Sequence, residues 1–213
     1  MLRTLIAIAV LLAAAPATAA PPPPKAPPPA PVVTILGDSI TAGLGLPENQ
    51  AAPAQLQAAL KALGVEAVVR GAGVSGDTTA GGLARVDFSV QPDTRVCVVE
   101  LGANDYLQSV DPKIMQANLV GIVRRLKARH IRVVLTASAT PRVGSGAYGR
   151  AFDAVFPTVA RQEHVALAGD LLVGVEDKIA LKQADGLHPN AAGVKIIAAR
   201  LAAVVARVLK TSG

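Results

Sequence analysis

The 213-residue chain has one cysteine, no tryptophan, three histidines and only five aromatic residues. A lone Cys97 excludes a disulfide framework. Scarce rings leave the core to Ala, Val, Leu and Gly, and they leave little with which to stack nucleic-acid bases. Long hydrophobic runs are also lacking beyond the N-terminus, where a spanning helix would need ~20 mostly apolar residues. Ala191–Leu209 comes nearest, but Lys195, Arg200 and Arg207 interrupt it. Its Ile197, Leu201, Val204, Val205 and Val208 recur at helical spacing, which predicts a helix packed on a core. What the chain does have is aliphatic carbon, 51% hydrophobic residues with a mean hydropathy of +0.43, and a net charge of +6. Length and apolar content predict one domain with a proper core. The basic residues are scattered apart from Arg124-Arg125-Lys127-Arg129, which reads as a solvated helix face, so no nucleic-acid partner is expected.

The first residues have the layout of a secretory signal: Arg3, the apolar run Leu5–Ala15, then Pro16 and Ala17-Thr18-Ala19. Cleavage after Ala19 is expected, with Ala20 the alternative, giving an exported protein, periplasmic or secreted, with no membrane span. Removing Arg3 takes the charge from +6 to +5. Residues 20–31 read as a linker, since eight prolines in the eleven positions Pro21–Pro31 impose an extended polyproline conformation. The folded unit is expected over residues 32–213.

From Val32 onward, short β-branched runs alternate with longer segments of helical periodicity. Strands are predicted at Val32–Leu36, Ala67–Arg70, Val96–Leu101, Arg132–Thr136 and Val165–Leu167. Helices are predicted at Ala51–Leu63, Thr79–Phe88, Pro112–His130, Arg150–Glu163 and Asn190–Leu209. A strand as continuously apolar as Val96-Cys97-Val98-Val99 implies burial on both faces. The expected fold is therefore a doubly wound, three-layer α/β sandwich with a parallel sheet of about five strands. In such sheets ligands bind beyond the carboxyl ends of the strands. The turns there contain Gly37-Asp38-Ser39, Gly71 through Asp77, and Gly102-Ala103-Asn104-Asp105.

Three histidines allow a general base to be sought by elimination. His130 and His164 fall at predicted helix ends, where the helix dipole favours a cation. His188 lies in a turn, with Pro189 after it and Asp185 three residues before it. That spacing lets a carboxylate orient an imidazole, as a Ser-His-Asp triad requires. The nucleophile candidate is Ser39, placed directly after an apolar strand; Asp38-Ser39 equally suits a helix N-cap.

Gly37-Asp38-Ser39-Ile40, Gly76 within Val74-Ser75-Gly76-Asp77-Thr78, Gly102-Ala103-Asn104-Asp105 and Asp185-Gly186-Leu187-His188-Pro189-Asn190 resemble, in order, the four blocks of the SGNH (GDSL) hydrolase family. The nearest likeness is to its secreted bacterial arylesterase, thioesterase and lysophospholipase branch. The resemblance implies a flavodoxin-like fold and a serine esterase acting on carboxylic esters, with thioesters and lysophospholipids as further substrates, no cofactor and no metal. It implies catalytic Ser39, His188 and Asp185, and an oxyanion hole formed by the Ser39 and Gly76 backbone N–H groups and the Asn104 amide. Two positions depart from the family pattern: Gly71 stands where Asn is common, and Ile40 replaces Leu.

Other readings of the same stretches stay open at this point. Gly71-Ala72-Gly73-Val74-Ser75-Gly76 is a literal G-x-G-x-x-G after an apolar strand, with Glu100 placed as a ribose-binding acid. Asp38, Asp77, Asp105 and Asp185 at strand ends suit a metal-dependent phosphohydrolase. A non-catalytic ligand-binding relative is the third reading. For the substrate groove, Leu44, Leu46, Tyr106 and Tyr148, the last in a Gly144–Gly149 loop, are candidate walls, with ordinary packing the alternative. Few rings argue for aryl or acyl esters over sugar esters.

Overall fold

The computed structural model describes residues 29–138 and 146–211. The expected signal, most of the proline run, and Gly144 and Ser145 lie outside the described residues. The five apolar runs become β1 (Val32–Gly37), β2 (Val68–Gly73), β3 (Thr94–Glu100), β4 (Arg132–Ala137) and β5 (Ala166–Asp170). They form one parallel sheet in the order β2-β1-β3-β4-β5, the flavodoxin-like arrangement. All of β1 is buried, and in β3 only Arg95 is exposed, because helices cover both faces of these central strands. The order places the switch point at β1 and β3, so the turns after these two strands open into a common crevice.

The helices are α1 (Ser39–Ala42), α2 (Ala52–Ala62), α3 (Thr79–Ser89), α4 (Ala103–Leu107), α5 (Pro112–Ala128), α6 (Gly146–Glu163) and α7 (Ala191–Lys210). Two of them, α1 and α4, were not expected, since four or five residues are too few to show a helical period. Side chains of successive strand residues point to opposite faces. Val33, Ile35, Val96 and Val98 accordingly pack with Leu56, Leu60, Leu201 and Val205 of α2 and α7. Leu36, Cys97 and Val99 go to the other face, against Val86, Leu119, Ile122, Phe152 and Phe156 of α3, α5 and α6. The result is the expected three-layer sandwich. Cys97 is unpaired, and burial pushes its thiol up to about 12.

Capping residues set where the helices start. Asp111 accepts from the Lys113 N–H ahead of Pro112, and Asn190 accepts from the N–H groups of Ala192 and Gly193. His130 and His164 terminate α5 and α6 with φ of 58° and 54°, at the amino-terminal edge of the sheet. The basic run on α5 is solvated as expected, with Arg124, Arg125 and Lys127 exposed, and it also makes ion pairs to neighbouring helices. Arg124 pairs with Glu163 of α6 at 2.9 Å and Arg125 with Asp87 of α3 at 3.1 Å. Those partners lie on other helices, so α5 alone did not reveal them.

Candidate active site

The first block is built by an abrupt turn. β1 ends at Gly37, Asp38 caps α1 by accepting from the Ile40 N–H at 3.1 Å, and Ser39 opens the helix. The Asp38-Ser39 alternatives therefore coexist: Asp38 is the cap, and Ser39 is held at the sheet edge above it. The fourth block is a closed loop. Gln183 N–H donates to His188 O at 2.8 Å, and Asn190 N–H donates to Leu181 O at 2.8 Å. Within it one Asp185 oxygen, Oδ1, accepts from the N–H groups of Leu187 and His188. The other, Oδ2, lies 2.6 Å from His188 Nδ1.

These two blocks meet. Ser39 Oγ stands 2.8 Å from His188 Nε2, across 149 positions of sequence. The His188 ring is held by Asp185 on one side and reaches the hydroxyl on the other, the arrangement that activates a nucleophile. Hydrogen bonding from His188 and the two backbone N–H groups draws the Asp185 carboxyl down to about 2. A side chain unmarked by the sequence reading joins the loops: Gln183 Nε2 donates to Leu44 O at 2.8 Å and to Pro189 O at 3.1 Å.

The second and third blocks face Ser39. Gly76 has a φ of 81°, a left-handed conformation that favours glycine, and a Cβ there would meet nothing within 4 Å, so its backbone borders open space. Asn104, in α4, donates from Nδ2 to Asp77 O at 2.9 Å and to Asp38 Oδ2 at 3.3 Å. Asp105 beside it is fully buried and accepts from the Thr79 N–H at 2.8 Å and hydroxyl at 2.5 Å, fastening α4 to the start of α3; burial pushes its carboxyl up. Arg85 fastens the other side. Its Nε donates to Asp77 at 2.7 Å, Nη1 to Ala72 O at 2.8 Å and Nη2 to Gly37 O at 2.9 Å. One guanidinium thus bridges the ends of β1 and β2 and the Gly76 turn, which only the folded topology makes visible.

A cleft of about 160 Å³ lies over this assembly, lined by Ser39, Gly76, Asn104 and His188 and walled by Leu44, Leu107, Leu172 and Leu187. Leu46 lines a smaller adjoining hollow with Ser39 and His188. The structure places the two tyrosines elsewhere. Tyr106 and Tyr148 stack on each other at 5.7 Å, Tyr106 packs on Phe152, and the Tyr148 hydroxyl donates to Val110 O at 2.9 Å. On short α4, Tyr106 turns to the core, and it is Leu107 that reaches the cleft. Tyr148 belongs to the first turn of α6, where the sequence suggested a loop.

The other readings meet specific obstacles. In the G-x-G-x-x-G stretch, a Cβ on Gly73 would lie 2.2 Å from the Ala42 backbone N. That glycine admits α1 against β2, and Glu100 is buried beneath the Ser39 turn. The four aspartates are committed separately: Asp38 to Ile40 and Asn104, Asp77 to Arg85, Asp105 to Thr79, and Asp185 to His188. Among the described residues, no three of His, Cys, Asp and Glu cluster as a metal would require. A larger groove of about 500 Å³ at the amino-terminal edge of the sheet is lined by Arg95, Lys127, Arg132 and the two remaining histidines, away from Ser39.

The same architecture recurs in known proteins. Esterase TesA of Pseudomonas aeruginosa is 38% identical over 161 residues, 75% of this chain and 80% of that protein. The thioesterase 1/protease 1/lysophospholipase L1 of Escherichia coli is 33% identical over 162 residues, 76% of each. The crystal structure of TesA superposes with a TM-score of 0.78 at 34% identity, covering 83% of this chain and 99% of that one. The GDSL-like lipase/acylhydrolase family model matches residues 35–196. With the match spanning all four blocks, the chain belongs to the GDSL-like lipase/acylhydrolase family.

Proposed function

We propose that this protein is a serine esterase that cleaves carboxylic esters through an acyl-enzyme on Ser39. The observation that carries the reading is the unbroken hydrogen-bond chain from Ser39 Oγ to His188 to Asp185 at 2.8 and 2.6 Å. Ser39 Oγ attacks the acyl carbon while His188 Nε2 takes the hydroxyl proton, and Asp185 holds the ring and stabilises its charge. The carbonyl oxygen becomes an oxyanion facing the Ser39 and Gly76 N–H groups and the Asn104 amide. Because Asn104 already donates twice, it gives up its longer bond, to Asp38, when it turns to the oxyanion. Collapse expels the alcohol with the proton from His188. Water activated by the same imidazole then releases the acid and restores Ser39.

The leucine-walled cleft supports an apolar acyl or aryl group next to the reacting carbonyl. The names of the relatives bring thioesters and lysophospholipids into the same substrate class. No helix among the described residues is long and apolar enough to cross a membrane. Export to the periplasm or the medium rests on the Arg3, Leu5–Ala15 and Ala17-Thr18-Ala19 pattern, with residues 20–31 as the tether. The test is hydrolysis of short p-nitrophenyl esters by purified protein and its Ser39→Ala and His188→Ala variants. Turnover by the parent and its loss in both variants are expected; full activity in Ser39→Ala overturns the mechanism.

A further inference from the structure

Beneath the Ser39 turn lies a carboxyl group to which ester cleavage, as derived above, gives no task. Glu100 ends β3 and is only 6% exposed. Its Oε2 accepts from the Thr41 hydroxyl at 2.7 Å and from the Asp38 backbone N–H at 3.3 Å. Gly37 makes this possible, since a Cβ there would stand 2.2 Å from Thr41 Oγ1 and 2.4 Å from Glu100 Oε2. The Asp38 carboxyl, on a residue 2% exposed, belongs to the same residue whose backbone N–H Glu100 holds, so two buried carboxyl groups lie side by side under the turn. Asp38 in turn accepts from the Asn104 amide through Oδ2 at 3.3 Å. A continuous path therefore runs from Glu100 through Asp38 to the amide that faces the oxyanion.

The charges around this pair leave one negative group uncompensated. Asp77, the next carboxylate, is matched by Arg85 at 2.7 Å, and the rest of that guanidinium is spent on Gly37 O, Ala72 O and Ser89. His188 acts on Asp38 from the far side of Ser39. Two neighbouring buried carboxyl groups, with no ion pair to either among the described residues, do not both ionise. Burial, reinforced by the Asp38 charge, pushes Glu100 well above the ordinary carboxylic range, whereas Asp38 is raised less.

We propose that Glu100 is a positioning residue: the Glu100–Asp38 pair shares one proton, and Glu100, as the donor, sets how firmly Asp38 holds the Asn104 amide. The catalytic consequence rests on the esterase reading; the shared proton does not. With Glu100 donating to it, Asp38 is a weaker acceptor and releases Asn104 to the oxyanion. With the proton gone, two negative charges crowd the turn and draw the amide back. No bond forms or breaks at Glu100, and the proton stays within the pair through the reaction.

The test pairs spectroscopy with kinetics on Glu100→Gln, which keeps the shape and a donor but does not titrate, and on Glu100→Ala. The infrared difference between parent and Glu100→Gln at neutral pH is expected to show a carboxylic-acid carbonyl band in the parent alone. Glu100→Gln is expected to retain kcat within about five-fold, while Glu100→Ala loses about ten-fold or more in kcat with KM little changed, less than outright removal of an oxyanion donor costs. An alkaline fall in the parent rate that is absent in Glu100→Gln would mark the departing proton, a readout that a purely structural glutamate does not move. If Glu100→Ala does not fold, the band and the pH profile of Glu100→Gln carry the test. Absence of the acid band overturns the proposal, as does an unaltered alkaline fall in Glu100→Gln. A band without any ester turnover in the parent would instead overturn the esterase reading and leave the proton assigned.

Discussion

The Asn104 amide donates to Asp77 O at 2.9 Å and to Asp38 Oδ2 at 3.3 Å, so it is tied to both the Gly76 turn and the Ser39 turn. A donor held this way has only its longer bond, to Asp38, to give up as the charge develops. Asn104→Ala is expected to lower kcat by about 10²–10³-fold with KM nearly unchanged. Steady-state kinetics on a p-nitrophenyl ester reads this directly, and an unaffected kcat would remove Asn104 from the oxyanion site.

Asp185 supplies a pH prediction with a definite sign. Its carboxyl is held at about 2, below the ~3.9 of an unfolded aspartate, by hydrogen bonds from His188 and two backbone N–H groups. Its contribution to folding is therefore present above about pH 4 and fades as the pH falls toward 2. A rate decline seen above about pH 4 therefore does not come from protonation of Asp185. Asp185→Asn is expected to lose roughly 10²–10⁴-fold in kcat. A parent pH–rate profile flat down to pH 4 would transfer control of the rate to the carboxylate.

Arg85 tests how far the scaffold sets the site. Its side chain and that of Asp77 are only 18% and 11% exposed, and it also carries the carbonyls of Gly37 and Ala72. Arg85→Ala strands these acceptors and is expected to cost about 2–3 kcal/mol, a Tm drop of about 5–10 °C. The rate should fall as well, because the Ser39 and Gly76 turns lose their common anchor. Calorimetry and the ester assay together check this; a stable, fully active variant would show that the turns hold without it.

Metal removal separates the esterase from the phosphohydrolase reading. With Asp38, Asp77, Asp105 and Asp185 each engaged by a different partner, dialysis against EDTA is expected to leave ester hydrolysis intact. Loss of activity that Mg²⁺ or Mn²⁺ restores would reverse the conclusion.

The sandwich was legible because its signals are local: β-branched runs bounded by turns, and caps such as Asp111 and Asn190. The ordered blocks likewise singled out Ser39, Asp185 and His188, the residues the structure joins through hydrogen bonds. Groups that act between elements gave no local signal of that task. Arg85 closes the family-like stretch Gly82-Leu83-Ala84-Arg85, but its task is visible only once β1 and β2 end beside it, and Gln183 reads as a loop residue until Leu44 lies across from it. Glu100 stands out in the sequence as the acid of a dinucleotide motif and as the residue leading into the third family block, but neither places it beneath the Ser39 turn, since its burial depends on Gly37 and Thr41. For Tyr106 and Tyr148 the sequence left groove wall and ordinary packing open, and packing is what the structure shows, because which side of a five-residue helix faces the core is set by α6, far along the chain.

Covalent labelling of the nucleophile tests the central claim most directly. Intact-mass spectrometry after treatment with a fluorophosphonate is expected to show one adduct, mapped by peptide analysis to Ser39, absent in Ser39→Ala and formed far more slowly in His188→Ala. An adduct mapped to Ser75 or another residue, or equal labelling of Ser39→Ala, would contradict the account.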